Sequence, residues 1–241
     1  MKKLLFAFSI LAGVTGFSSP WASEFENDSF ETEKGSARIT FIGHATLMIE
    51  FNGKVIHVDP VSAQADYSKL PKADIILVTH EHGDHFDPVV LNLISRPETD
   101  LVTNESVAAK FGTGKVMKNG DSMTVQGIPV QAVPAYNTTE GRSRFHPKGR
   151  DNGFVLNLGG LLVYIAGDTE DIPEMTGLKG IDVAFLPVNQ PYTMTPVQAV
   201  NAAKQFKPRI LYPYHYGDTD ISGLPGALQN EGIEVRIRKL P

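Results

Sequence analysis

One short segment of the chain concentrates the side chains that bind metals and carry protons. Residues 79–85 read THEHGDH and contain three of the seven histidines of the sequence. The sequence contains no cysteine, so a bound metal ion would need imidazole nitrogens and carboxylate oxygens as ligands. The spacing favours a metal site over the alternative, a charged surface loop in which histidines fall together by chance.

The order of residues in this segment predicts two adjacent metal positions. His80 and His82 are two residues apart, so in an extended chain both side chains point the same way and could share one metal ion. Gly83 permits a tight turn after them. Asp84 and His85 then follow the turn, where they could reach a second ion beside the first.

The flanking sequence predicts that the segment lies between a strand and a helix. Residues 74–79 form a continuous apolar run that is typical of a strand buried on both faces. Residues 87–94 have a helical pattern, with Asp87 as the N-cap and Pro88 in the first turn. Loops at strand ends are common places for active sites in layered α/β proteins.

The rest of the chain combines short strands with interleaved helices. Asn52-Gly53 between two β-prone runs predicts a hairpin, and Thr195 with Pro196 predicts the start of a helix that ends near Phe206. Further helices are expected over residues 104–111 and near Asp171. The pattern predicts an α+β fold in which sheets pack on one another with helices outside.

The sequence resembles the metallo-β-lactamase superfamily, whose signature matches His80-x-His82-x-Asp84-His85. Four further segments occur in the order and spacing of that superfamily, and the resemblance covers about residues 37 to 241. It is closest to the branch with the ascorbate-phosphate lactonases and the N-acyl-phosphatidylethanolamine-hydrolysing phospholipase D. It implies a four-layer αββα sandwich with the metals at one edge between the sheets. The four segments are Ile42-Gly43-His44-Ala45-Thr46, Val58-Asp59-Pro60, Ala166-Gly167-Asp168-Thr169 and Tyr212-Pro213-Tyr214-His215-Tyr216.

The resemblance also implies roles for individual residues. His80 and His82 match ligands of the first metal, and Asp84 and His85 match ligands of the second. Asp168 matches the carboxylate that bridges both ions, and His215 matches the last ligand of the second. Taken alone, Asp168 could equally be a turn residue after a glycine, and His215 a hydrogen-bonded core histidine.

The third ligand of the first metal is assigned to His146. The superfamily has a histidine between the 130s and the strand before Asp168, and His146 is the one histidine in that interval. Residues 136–144 separate it from the preceding strand, so the chain would have to loop back to the site.

Two more residues resemble supporting positions, and the expected chemistry follows from the pair of metals. Asp59 matches a carboxylate that orients a ligand imidazole, while His44 matches a supporting position and could also touch substrate. The expected cofactors are two divalent ions, most simply Zn²⁺, with Mn²⁺ or Fe²⁺ as alternatives. A hydroxide held by both ions would cleave an ester, lactone, amide or phosphodiester of a small molecule, with Asp84 able to shuttle the proton.

The basic loop around His146 bears on the substrate. Arg142 and Arg144 lie in this loop with Lys148 and Arg150, within a chain of net charge −5. Because arginine binds phosphate and carboxylate well, the two arginines are candidate ligands of an anionic substrate. The alternative is a solvated loop whose charges pair only with carboxylates of the protein.

Three rival functions share these residues. A secreted β-lactamase would use the same metal site, although the resemblance to the lactonase and phospholipase branch argues against it. A redox di-iron protein would normally need a flavin domain, for which no segment is left. A non-catalytic metal-binding protein would be expected to lack a ligand, and each ligand position has a candidate.

The ends and the charge of the chain limit its surroundings. Residues 1–23 have the charged, apolar and small-residue regions of a signal peptide, with a membrane anchor as the alternative, and residues 24–36 are expected to be a flexible lead-in to the domain. We therefore expect export to the periplasm or the medium, with no membrane span after cleavage. The acidic balance gives no indication of nucleic-acid binding, and the oligomeric state is open.

Overall fold

The structure, a computed structural model, describes residues 24–241, so the predicted signal peptide lies outside the described residues. The first half of the described chain forms a seven-stranded sheet in the order β1-β2-β3-β4-β5-β6-β7. Its strands are β1 Asn27–Thr32, β2 Gly35–Gly43, β3 Thr46–Phe51, β4 Lys54–Val58, β5 Ile75–Val78, β6 Asp100–Thr103 and β7 Lys115–Val116.

The second half forms another seven-stranded sheet, in the order β14-β13-β12-β11-β10-β9-β8. Its strands are β8 Ser122–Val125, β9 Ile128–Ala135, β10 Asp151–Leu158, β11 Leu161–Ile165, β12 Val183–Pro187, β13 Ile210–Tyr214 and β14 Glu234–Val235. In each sheet the first four strands pair antiparallel and the last three extend the sheet in parallel. The two halves therefore share one topology, which the sequence did not reveal as a repeat.

Helices cover the outer face of each sheet. The α-helices are α1 Pro88–Ile94, α2 Glu105–Phe111, α3 Pro196–Phe206 and α4 Leu224–Leu228, and 3₁₀ turns span Pro173–Gly177 and Gln229–Glu231. One hydrophobic cluster fills the space between the sheets, and two others lie between a sheet and its helices. This arrangement confirms the four-layer αββα sandwich.

Local signals in the sequence account for several boundaries. Asn52 and Gly53 both have positive φ, of 49° and 71°, as the predicted two-residue hairpin requires. The Asp87 side chain accepts hydrogen bonds from the first turn of α1, and Thr195 forms a capping box with Gln198 at the start of α3. The helix predicted near Asp171 is instead the 3₁₀ turn that begins at Pro173.

The interpretation of residues 24–36 as a flexible lead-in is wrong. Residues 27–32 form β1, which pairs antiparallel with the start of β2. Asp28 accepts hydrogen bonds from Tyr212, Arg236 and Arg238, which belong to the far end of the chain. The polar sequence suggested a solvent-exposed segment, whereas Asp28 is ion-paired with Arg236 and Arg238 in the fold.

No helix within residues 24–241 has the length and apolarity needed to cross a lipid bilayer.

Candidate metal centre

The loops that follow parallel strands bring the predicted ligands to one edge of the sandwich. Residues 79–85 follow β5, whose four residues are all buried. Asp168 follows β11, and His215 follows β13 directly. Strands buried on both faces fix the direction in which the chain leaves the sheet, so these loops meet at one place.

The first group of donors consists of His80, His82 and His146. Their ligand nitrogens all lie within 4.8 Å of one another, and His80 Nε2 is 3.1 Å from His82 Nδ1. The backbone NH of Asn137 donates to the His146 carbonyl at 2.9 Å, which closes the loop after β9. The chain does loop back, as the choice of His146 required.

The second group consists of Asp84, His85 and His215, with His44 beside them. One oxygen of Asp84, Oδ2, lies 3.3 Å from both His215 Nε2 and His44 Nε2. The His44 ring also packs against the His215 ring, with 3.8 Å between ring centroids and 38° between planes. The structure thus places His44 against two candidate ligands, and its Nδ1 lies 2.7 Å from the Pro241 carbonyl.

Asp168 lies between the two groups. Its Oδ2 is 3.3 Å from His146 Nε2 and 3.4 Å from His215 Nε2, while its Oδ1 is 3.3 Å from His85 Nε2. Oδ2 therefore lies against a histidine of each group and Oδ1 against the second group only, so this one carboxylate contacts both sets of donors.

The donors fit a cation better than they fit one another. His85 Nε2, Asp168 Oδ1 and His215 Nε2 are buried without a hydrogen-bond partner among the described residues. Buried polar atoms are rarely left in this state unless a water or ion completes them. Nitrogen and carboxylate donors in this number suit zinc and similar divalent ions, so the residues present fit a metal.

The electrostatics of the site also favour a positive charge. Burial would raise the pKa of Asp168, but His215 and His85 hold it well below its usual range. Burial would lower the pKa of His146, but its hydrogen bonds to Asp151 and Asp168 raise it to about 9. Burial keeps the pKa of His80 well below its ordinary value, so its neutral imidazole has a lone pair for a cation.

Outer partners orient the imidazoles. Asp59, predicted for this role, lies with its Oδ2 2.8 Å from His85 Nδ1, and its Oδ1 accepts from Thr79 N. Thr79 Oγ1 is 3.0 Å from His80 Nδ1. An acceptor on the outer nitrogen fixes the tautomer that turns the other nitrogen toward a metal.

Two such partners were missed by the sequence analysis. Asp151 Oδ2 lies 3.0 Å from His146 Nδ1, and Asp151 is fully buried at the start of β10. The Asn189 side chain is 3.4 Å from His215 Nδ1. Neither residue lies in a recognisable motif, because each is brought to its histidine by the fold; an acidic residue beginning a strand next to Arg150 was the one available signal.

The basic loop around His146 is largely neutralised by carboxylates. Arg142 pairs with buried Glu170 at 3.3 Å, Lys148 with Glu174, and Arg150 with Asp151. Arg144 differs, because its guanidinium lies 4.7 Å from the centroid of the Phe145 ring and no carboxylate of residues 24–241 pairs with it. Of the two candidate substrate ligands, only Arg144 has its charge free.

A cavity of about 240 Å³ opens over these donors. Its floor is formed by candidate ligands of both groups, and its wall by two aromatic residues and an amide. The lining residues are His82, Asp84, Phe145, His146, Asp168, Asn189, Tyr192 and His215. The arrangement could hold a small molecule directly against these donors.

Known proteins resemble this chain in sequence. The sequence model described as a β-lactamase superfamily domain matches residues 38–215. A UPF0173 metal-dependent hydrolase of Pelotomaculum thermopropionicum is 31% identical over 196 residues, which cover 74% of this chain and 84% of the relative.

Solved structures of other proteins also resemble this chain. A crystal structure from Parabacteroides distasonis, described as a metal-dependent hydrolase, is 57% identical with a TM-score of 0.89, covering 90% of this chain and 100% of that chain. A metallo hydrolase of the archaeon Ignicoccus hospitalis has a TM-score of 0.71 at 24% identity, covering 84% of this chain and 95% of that one; this last likeness concerns the fold alone.

Proposed function

The chain belongs to the metal-dependent hydrolases of the β-lactamase superfamily, and from that premise we propose that it is a two-metal hydrolase acting on a small ester, lactone, amide or phosphodiester. The first ion would be held by His80, His82 and His146, and the second by Asp84, His85 and His215, with Asp168 between them. One observation carries the proposal: three buried atoms without a hydrogen-bond partner, His85 Nε2, Asp168 Oδ1 and His215 Nε2, lie together. His85 Nε2 is 3.3 Å from Asp168 Oδ1, and His215 Nε2 is 3.4 Å from the other Asp168 oxygen.

The protein's own groups have distinct tasks in this scheme. When bound, the ions supply Lewis acidity and lower the pKa of a bound water toward neutrality. Asp84 is the most exposed member of the cluster, with 49% of its side chain accessible, which supports a role as acceptor of the proton from the attacking water. His44 Nε2 lies 3.3 Å from the same carboxylate oxygen that faces His215 Nε2, and it can pass the proton on.

The substrate class rests on the branch resemblance and on charge. Lactones and phosphodiesters are the bonds suggested by the lactonase and phospholipase branch, and both react by attack on an electrophilic carbon or phosphorus. Arg144 offers an unpaired positive charge next to the cavity wall, which supports an anionic group on the substrate. A secreted β-lactamase and a non-catalytic metal-binding protein are the competing functions, and the tests below separate them.

Metal content, measured by elemental mass spectrometry, tests the proposal directly. Purified protein should carry about two ions of zinc, manganese or iron per chain, and His82→Ala should carry fewer. His57→Gln is the matched control, because His57 is a buried histidine that bonds to the Pro71 carbonyl and not to the site. One ion per chain, or none after reconstitution with each metal, would contradict the two-metal hydrolase.

Activity assays then choose between the functions. A metal-loaded protein should hydrolyse lactones or phosphodiesters and lose the activity in Asp84→Asn. Turnover of β-lactams alone would assign it to the β-lactamases, and metal without turnover on any of these classes would leave a binding protein.

Export is part of the same proposal. Residues 1–23 would direct the chain out of the cytoplasm and then be removed. Fractionation of the source cells with N-terminal sequencing of the mature protein tests this; a retained Met1 in the cytoplasmic fraction would overturn it.

A further inference from the structure

The wall of the cavity carries an aromatic pair that the hydrolytic chemistry does not use. The rings of Phe145 and Tyr192 meet edge to face, with 5.0 Å between centroids and 74° between planes. Both residues line the cavity above the candidate ligands. Tyr192 is 45% exposed, so an aromatic surface is left open to solvent beside the reactive centre.

This wall is held in place before any substrate arrives. The Asn137 side chain donates to the Tyr192 carbonyl at 2.7 Å and to the Arg142 carbonyl at 3.4 Å, so it joins the two loops that carry the rings. Buried Glu170 accepts from the backbone NH groups of Thr138 and Thr139. A preformed surface binds its ligand without the entropic cost of ordering loops.

The surroundings select what the wall can bind. Open aromatic edges and faces favour a flat apolar group, which gains edge-to-face contacts and buries surface from water. The volume of about 240 Å³ leaves space for one such ring or a short acyl chain beside the reacting group. The Arg144 guanidinium on the Phe145 ring supports the wall and adds a positive edge.

We propose that Phe145 and Tyr192 are specificity-determining residues that bind a compact, flat apolar group next to the scissile bond. The substrate is then a small ester, lactone or phosphodiester with an aromatic or similarly flat substituent, rather than a purely polar one. This inference rests on the proposed function for the position of the scissile bond, but the wall itself is independent of the metal.

Two probes that differ only in the apolar group test the proposal. Phenylphosphonate and methylphosphonate are titrated calorimetrically into the metal-loaded full-length chain, and metal content is measured on the same preparation. Phenylphosphonate should bind about tenfold tighter, as expected for burying one ring. In Tyr192→Ala and Phe145→Leu the preference should fall to roughly threefold or less, with metal content unchanged.

Leu93→Ala is the matched control, since Leu93 is similarly exposed at 41% and does not line the cavity; it should keep the full preference. Equal affinity of the metal-loaded protein for the two phosphonates would overturn the proposed role of Phe145 and Tyr192, but it would not contradict the proposed hydrolase function. If the chain binds no metal, saturation-transfer NMR on the metal-free protein decides instead. Saturation-transfer signals from the phenyl protons of phenylphosphonate should be lost in Tyr192→Ala and Phe145→Leu. Signals that persist in both variants would overturn the proposal.

Discussion

At the scale of single residues, the clearest feature is that the candidate ligands are oriented by partners that never face the cavity. Asp59 is fully buried and bonds both His85 and the Thr79 backbone. Its effect on a metal is indirect, through the tautomer and the angle of one imidazole. Such partners are worth measurable affinity although they contact no ion.

Asp59→Asn should weaken metal binding without unfolding the protein. The amide retains the shape but loses the negative charge that holds the His85 Nδ1 proton, so affinity should fall about 10- to 100-fold. Competition with a chromophoric chelator measures this, and Asp100→Asn, whose carboxylate pairs with Lys115 at 2.8 Å, is the surface control. Equal affinity in both variants would show that Asp59 is only a structural residue.

His57 predicts a pH dependence that is separate from the metal site. Burial lowers the pKa of its imidazole to about 4, against about 6.5 in the unfolded chain. The unfolded state therefore binds the proton first as pH falls, and stability is lost between pH 6.5 and 4.

His57→Gln, which keeps a donor for the Pro71 carbonyl, should remove that loss. Between pH 7 and pH 5 the unfolding free energy of the wild type should drop by about 2 kcal/mol more than that of the variant. Urea unfolding in the presence of a chelator measures both. If the unfolding free energies of the wild type and the variant changed in parallel with pH, His57 would not be a neutral imidazole with a lowered pKa in the folded protein.

At the scale of elements, what the sequence could predict was local. The cap of α1 at Asp87, the capping box of α3 and the Asn52-Gly53 hairpin all depend on residues within a few positions of each other. The motif after β5 was likewise contiguous. These signals act through short-range hydrogen bonds, which makes them readable from sequence.

What escaped prediction depends on distant partners. β1 looked flexible because its sequence is polar and acidic, yet it pairs with β2, and its Asp28 forms ion pairs with Arg236 and Arg238 from the far end of the chain. Asp151 and Asn189 contact the outer nitrogens of His146 and His215 only because the fold of the second sheet brings them together. The sequence suggested Arg142 as a substrate ligand, but in the structure its guanidinium forms an ion pair with Glu170, which is 28 positions away in sequence.

The Arg142–Glu170 pair should therefore stabilise the loop after β9 rather than bind substrate. Glu170 is fully buried while Arg142 is partly exposed, so Arg142→Gln leaves a buried carboxylate without its cation and should cost about 2 kcal/mol of unfolding free energy. Urea denaturation measures the loss. Arg144→Gln, whose guanidinium is exposed, should change stability by less than about 0.5 kcal/mol but raise KM for an anionic substrate. The reverse pattern would restore Arg142 as the substrate ligand.

At the scale of the whole molecule, the donors come from both halves of the sandwich. His80, His82, Asp84 and His85 follow a strand of the first sheet, whereas His146, Asp168 and His215 belong to loops of the second. Cations bound between them would join the two sheets at one edge. The matching topology of the halves makes this edge the place where their equivalent loops meet.

Metal binding should consequently stabilise the whole fold. A ligand that binds only the folded state adds about 4 kcal/mol when its concentration is 1,000 times its Kd, which for a domain of this size corresponds to roughly 10 °C in Tm. Calorimetry with and without a chelator should show this difference in the wild type. The shift should shrink in His82→Ala and equally in His215→Ala, which remove a donor from opposite halves, and persist in His57→Gln. If only one of these two variants reduced the Tm shift, the cations would be held by the loops of one sheet alone. The reason is that only a site built from both sheets loses its cations when a ligand is removed from either sheet.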